Sequence, residues 1–92
     1  MDWTFDFSRQ ADKFLAQQRI ADDVVIDVVG RALRKLDGEV IAVDLERLHD
    51  PWKGFYRVRM QKIRIIFSFD AHERRVNIAI VDFRNSVYRK RR

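Results

Sequence analysis

The segment GFYRVRMQKIRIIFSFD, residues 54–70, decides the fold because its apolar and polar side chains alternate at the two-residue period of a β-strand. The alternation falls into two halves on either side of Gln61 and Lys62, so the segment predicts two antiparallel strands joined by a short turn. One face of this hairpin is apolar and the other carries most of its charge. The apolar face holds Tyr56, Val58, Met60, Ile63, Ile65, Phe67 and Phe69, and the other holds Phe55, Arg57, Arg59, Arg64, Ile66 and Ser68.

A turn centred on Gln61 and Lys62 places Arg59 directly opposite Arg64. Like charges in that arrangement destabilise a sheet by about 0.2–1 kcal/mol, and Arg57 adds a third positive charge to the same face. The pattern predicts either an anionic partner for this face or arginines that extend into water. Gln-Lys is an unusual pair for a two-residue hairpin, which favours Asn-Gly or Asp-Gly, so a bulge that separates Arg59 from Arg64 is the alternative.

The length and composition of the chain predict one small folded domain over residues 1–92, with residues 89–92 as a basic tail. Hydrophobic residues make up 47% of the chain and charged residues 36%, which is typical of a globular protein rather than a disordered one.

The charge is divided unevenly along the chain. Residues 1–50 hold 7 Lys and Arg against 11 Asp and Glu, whereas residues 51–92 hold 12 against 3. The basic half contains the predicted hairpin, and such asymmetry is typical of a protein that binds nucleic acid. An acidic protein partner would match this charge equally well.

Several classes of protein are disfavoured by what the sequence contains. No apolar run reaches the 18 or more residues of a membrane span, and the first residues do not resemble a signal peptide, so we expect a cytoplasmic protein with no membrane partner. The chain has no cysteine and two histidines, so we expect no metal centre and no cofactor.

The remaining segments complete an α+β domain. Aromatic residues alternate with polar ones from Trp3 to Phe7, which predicts a strand, and Arg75 to Phe83 predicts another whose Val76, Ile78 and Ile80 complete the apolar face. Between them, apolar stripes predict two helices that pair as a hairpin. The first follows Ser8 and ends near Gln18, and the second begins near Ala21 and stops at Asp37-Gly38. The stripe of the second helix has Val24, Val28, Ala32 and Leu36 at every fourth position and is widened by Val25, Val29 and Leu33.

We therefore expect an antiparallel sheet, made of the N-terminal strand and a C-terminal three-stranded meander, with the helical hairpin on one face. Residues 39–53 show little periodicity and are interpreted mostly as a loop. The acidic and histidine side chains of this segment are candidates for an acid or a base near the arginines, although a solvated connector is the favoured interpretation. These candidates are Asp44, Glu46, His49 and Asp50.

Three pieces of the chain, taken in order and within this length, resemble motifs of the RelE/ParE superfamily of bacterial toxin–antitoxin toxins. They are FYRVR at 55–59, IRIIF at 63–67 and VDFRNSVY at 81–88. For the RelE branch, the resemblance implies cleavage of messenger RNA in the decoding site of the ribosome and a cognate antitoxin that neutralises the toxin. For the ParE branch it implies inhibition of DNA gyrase instead.

The resemblance to the RelE branch also implies roles for individual residues. Arg64, Arg84 and Tyr88 match catalytic positions, with Tyr88 as a general base and Arg84 beside the leaving oxygen, whereas Arg57 and Arg59 match residues along the scissile phosphate. The basic residues Lys62 and Arg89 are expected to add contacts to RNA. Phe83 stands where many relatives have histidine, and Asp82 brings a carboxylate close to this site.

Overall fold

A computed structural model describes residues 3–84 of the chain. The predicted base Tyr88, the predicted RNA contact Arg89 and the tail 89–92 lie outside the described residues. The described part contains two helices and one five-stranded sheet with the strand order β1-β5-β4-β3-β2. The elements are β1 (Thr4–Phe7), α1 (Arg9–Gln18), α2 (Asp22–Leu36), β2 (Asp44–Arg47), β3 (Tyr56–Met60), β4 (Ile63–Asp70) and β5 (Arg75–Phe83).

The predicted α+β class is confirmed, with two differences in the sheet. First, β1 pairs with β5 in parallel rather than antiparallel. A short turn forces its two strands to be antiparallel, but β1 and β5 are separated by every other element, so no such constraint applies. Second, residues 44–47 form the edge strand β2 on β3, and the prediction of a loop there was wrong.

Local sequence accounts for the start of α1 and the end of α2. Ser8 caps α1 by accepting a hydrogen bond from the amide of Ala11, and α2 gives way to Gly38, which takes a φ of 101° that favours glycine. Both helices contribute to one core with the apolar side of the sheet. Its buried members include Ala11, Leu15, Val25, Val28, Val29, Ala32, Leu33, Val58, Ile65, Phe67, Val76, Ile78 and Val81.

The predicted stripe on α2 is confirmed along its middle and on the flank that widens it, but not at its ends. Val28 and Ala32 are buried, whereas Val24 and Leu36 are 38% and 39% exposed. Residues spaced by four advance about 40° around a helix at each step, so a long series of them drifts away from the core. Val25, Val29 and Leu33 are buried beside the middle of the stripe.

A bulge in β5 changes which of its side chains face the core. Ile66 pairs with Ile80 and Phe67 pairs with Ile78, so Ala79 is an extra residue. Beyond the bulge, Val81 faces the core, and the prediction that Ile80 completes the apolar face was wrong. Ile80 instead lies on the face of the sheet that carries the arginines, because its partner Ile66 lies there.

Side chains at the N-terminus of α1 form hydrogen bonds with the backbone of β5 beyond the residues that pair with β1. The amide of the Gln10 side chain donates to the carbonyl of Val81 at 2.8 Å and its oxygen accepts from the amide of Val81 at 3.0 Å. The hydroxyl of Ser8 donates to the carbonyl of Ala79 at 2.7 Å. These bonds extend the β-pairing past the bulge and fix the orientation of the end of β5.

We therefore expect Gln10→Ala to lower the free energy of unfolding by about 1–3 kcal/mol, because it leaves both polar groups of Val81 without a partner in a partly buried position. Urea denaturation followed by circular dichroism measures the change. Gln17→Ala is the matched control, since Gln17 is exposed on the same helix. Equal stabilities of the two variants would contradict the structural role given to Gln10.

Candidate functional site

The predicted register of the hairpin is confirmed, and it gathers the arginines on one face. Arg59 pairs directly with Arg64, and Arg57 pairs with Ile66 on the same side. The turn follows at Gln61, whose φ of 54° lies in the left-handed region that two-residue hairpins use. We call this side of the sheet, which carries Asp44, Glu46, Arg57, Arg59, Arg64 and Asp82, the arginine face.

The two facing arginines are flanked by carboxylates in a row that crosses four strands. Asp44 pairs with Arg59, Arg59 with Arg64, and Arg64 with Asp82. The guanidinium of Arg64 donates twice to Asp82, at 2.8 and 3.2 Å, whereas a nitrogen of Arg59 lies 3.8 Å from an oxygen of Asp44. Each arginine therefore has a carboxylate on the side away from the other arginine, which offsets the repulsion between them.

Arg57 is held in a second row, where the guanidinium forms an ion pair with Glu46 across the strand. The side chain of Arg57 is only 15% exposed. Its Nε is buried and has no hydrogen-bond acceptor within the described residues. Glu46 therefore balances the charge of Arg57 but does not use all of its donors.

The arginine face thus contains its own counterions, three carboxylates for three guanidinium groups. The sequence pattern predicts either an outside anion or solvated arginines, and the structure shows a third arrangement. Two of the carboxylates come from β2, which was interpreted as part of a loop. The third, Asp82, lies on this face because the bulge at Ala79 determines which side of the sheet the following side chains of β5 face.

Arg84 and Lys62 lie at the end of the arginine face, beside the hairpin turn. The amide of Arg84 donates to the carbonyl of Lys62 at 2.8 Å, and its guanidinium donates to the carbonyl of Gln61 at 3.0 Å. A carbonyl carries no full charge, so Arg84 keeps a net positive charge that can pair with a phosphate. Lys62 is exposed in the turn itself.

The other candidate acids and bases divide between two places. Asp44 and Glu46 lie on the arginine face, whereas His49 and Asp50 line a separate cleft with Arg47 and Tyr56. Residues 3–84 contain no group of three His, Asp or Glu side chains that would hold a metal ion. No helix in this part of the chain is long and apolar enough to cross a membrane.

No protein-family model and no curated protein matches the chain, but solved structures do. The toxin–antitoxin complex RelBE2 from Mycobacterium tuberculosis matches with a TM-score of 0.57 and 23% identity over 91% of this chain and 100% of the other. The DinJ–YafQ complex from E. coli matches with a TM-score of 0.61 and 18% identity, over 95% and 99% of the two chains. The chain has the fold of the RelE-like toxins.

A third structure with the RelE-like fold, the heterotetrameric YoeB–YefM toxin–antitoxin complex from Staphylococcus aureus, matches with a TM-score of 0.60 and 20% identity over 90% of this chain and 98% of the other. The expected fold and the resemblance in architecture are therefore confirmed. The chain spans nearly the whole length of these three toxin structures.

Proposed function

We propose that this chain is the toxin of a toxin–antitoxin pair and that it cleaves messenger RNA on the ribosome. The observation that carries the proposal is the arginine face, in which Arg57, Arg59 and Arg64 converge from two strands of a RelE-like fold while Arg84 extends the positive charge at its end. Planar guanidinium groups bind phosphate through paired hydrogen bonds, and an RNA backbone presents phosphates in series.

The proposed reaction is attack by a ribose 2′-hydroxyl on the adjacent phosphate. A bond forms between the 2′-oxygen and phosphorus while the bond from phosphorus to the 5′-oxygen breaks, which leaves a 2′,3′-cyclic phosphate and a 5′-hydroxyl. The 2′-hydroxyl loses a proton to a base, for which Tyr88 is the prediction from sequence, and the leaving 5′-oxygen gains one. Negative charge increases on the phosphoryl oxygens in the transition state.

Within this proposal, Arg64 and Arg84 stabilise that charge. Asp82 holds Arg64 through two hydrogen bonds, so its guanidinium does not have to be ordered when the phosphate arrives. Arg84 carries positive charge beside the turn, where it can meet the leaving oxygen. Arg57, Arg59, Lys62 and Arg89 then hold the flanking phosphates.

The proposed partners are the ribosome with its message and a cognate antitoxin. The RelBE2 and YoeB–YefM structures are toxin–antitoxin complexes, and the YafQ structure is a complex with DinJ. A partner that neutralises this chain would have to cover the arginine face or keep RNA away from it.

Primer extension on translated messages tests the proposal after the chain is induced without its antitoxin. We expect growth arrest together with new 5′ ends inside coding regions, and recovery when the neighbouring reading frame is expressed. A supercoiling assay with purified gyrase tests the ParE-like alternative in parallel. Growth arrest with intact transcripts and inhibited supercoiling would replace the nuclease assignment with the gyrase one.

A further inference from the structure

The carboxylates on the arginine face differ in how firmly they are held. Asp44 and Glu46 belong to β2, and their side chains are 53% and 54% exposed. Asp82 lies on β5, an interior strand of the sheet, is 14% exposed and makes two hydrogen bonds with Arg64. The two carboxylates on β2 are therefore the ones that an incoming anion can displace.

Two features of β2 lower the free-energy cost of this displacement. The strand is four residues long and lies at the edge of the sheet, where β3 is its neighbour, and short edge segments open locally at low free-energy cost. Ion pairs with an exposed partner contribute about 0–1 kcal/mol. The free-energy cost for a phosphate to replace one of these carboxylates is therefore small.

A hydrogen-bond donor of Arg57 that has no acceptor in the described residues also supports displacement. Glu46 bonds one terminal nitrogen of Arg57, while the buried Nε has no acceptor in the described part of the chain. Buried donors in folded proteins nearly always have a partner, so this group indicates that the present pairing is incomplete. A phosphate offers more acceptor oxygens than a carboxylate does and binds guanidinium through two parallel bonds.

We propose that β2 is an acidic mask, in which Asp44 and Glu46 occupy positions that RNA phosphates take, and that single-stranded RNA binds the arginine face by displacing them. The inference rests on the proposed function, since it takes RNA as the polyanion. With the mask in place Arg57 and Arg59 are neutralised, while Arg64 is paired with Asp82. RNA is then attracted mainly to Arg84 and Lys62. The mask therefore limits binding of the free chain to RNA in general.

Removing the two charges tests the mask through the affinity for RNA. We expect Asp44→Asn/Glu46→Gln to bind a single-stranded 2′-O-methyl RNA, which cannot undergo 2′-hydroxyl attack, more tightly than the unsubstituted chain does. The gain should be up to about fivefold for each ion pair that RNA no longer has to displace. The slope of log K against log salt should change little, because the same phosphates are bound in both cases. Fluorescence anisotropy at several salt concentrations measures both quantities.

A matched control removes the same charge elsewhere. Asp27→Asn/Glu39→Gln breaks the pairs with Arg31 and Arg34, which lie on α2 and not on the arginine face. We expect this variant to keep the affinity of the unsubstituted chain. Adding Arg57→Gln and Arg59→Gln to the Asp44/Glu46 variant should cancel its gain, and circular dichroism checks that each variant is folded.

The outcomes separate the mask from the function. Equal affinities of the unsubstituted chain and the Asp44/Glu46 variant would overturn the mask while the proposed nuclease stands on its own cleavage test. An equal gain in the Asp27/Glu39 control would also overturn the mask, because net charge alone would then explain the result. If no variant binds RNA at any salt concentration, the mask and the RNA-binding role of the arginine face both fail.

Discussion

Replacing Arg84 with alanine is expected to slow ribosome-dependent cleavage by about 10²–10³-fold, the loss that follows removal of one positioned donor from a site of developing negative charge. The guanidinium of Arg84 donates to the carbonyl of Gln61, which carries no full charge. The positive charge of Arg84 is therefore available to the phosphate. Cleavage of a defined message by purified ribosomes measures the rate. The fold should persist, because Arg84 is exposed.

Arg75→Ala is the matched control for this experiment. Arg75 begins β5, the strand that Arg84 follows, and lies about 30 Å from Arg84 at the rise of a β-strand. It pairs with Asp6 at 2.6 Å, which raises the pKa of its guanidinium. Both substitutions remove one positive charge from β5 or its end, but only Arg84 lies at the proposed site. A similar rate for Arg84→Ala and Arg75→Ala would remove Arg84 from the catalytic role.

Phe67→Ala is expected to lower the free energy of unfolding by about 3–5 kcal/mol. The ring of Phe67 is completely buried and stacks on Tyr56 with 5.8 Å between the ring centroids. It comes from β4 immediately after the register shift, so its loss leaves a cavity beneath the arginine face. Denaturant unfolding gives the change, which is a large share of the total stability of a small domain.

Val40→Ala is the control for the loss of an apolar side chain. Val40 is fully exposed, so its truncation should change stability by less than about 0.5 kcal/mol. Phe67→Leu keeps most of the apolar volume and gives a smaller loss that is measurable even if Phe67→Ala fails to fold. A loss below about 1 kcal/mol for both Phe67 variants would contradict the assignment of this ring to the core.

The hairpin and the helices were predictable because their signals are local. Alternation from Tyr56 to Phe69 specifies which face is buried, and a slip by one residue would turn every side chain over, so the register that pairs Arg59 with Arg64 follows from the pattern. Ser8 and Gly38 mark helix ends for reasons of hydrogen bonding and backbone conformation that short segments reveal.

β2 was missed because its own sequence favours a loop. Aspartate and glutamate are depleted in strands, and the single apolar residue of the strand, Leu45, gives no usable alternation. The segment is a strand because β3 offers it a free edge to pair with, which is a property of the assembled sheet. As a result, the local sequence predicts Asp44 and Glu46 in a connector, whereas they lie opposite Arg59 and Arg57.

The bulge at Ala79 was missed for a different reason. The run Ile78-Ala-Ile-Val81 is apolar throughout, so alternation cannot show where one residue is skipped. The position of the bulge follows from pairing with β4 and from the hydrogen bonds that Ser8 and Gln10 supply. Only with the bulge located does Asp82 become the partner of Arg64. The roles of Tyr88 and Arg89 stay predictions from sequence.

In the proposed reaction, the arginine face positions an RNA phosphate for attack by the neighbouring 2′-hydroxyl. This role is tested by adding the purified chain to ribosomes that hold a message with a single 2′-deoxynucleotide at the cleavage position. We expect the all-ribose message to be cut there to a 2′,3′-cyclic phosphate and the 2′-deoxy message to stay intact at that position. Equal cleavage of the two messages, or none of either while the chain arrests growth, would rule out this role of the arginine face.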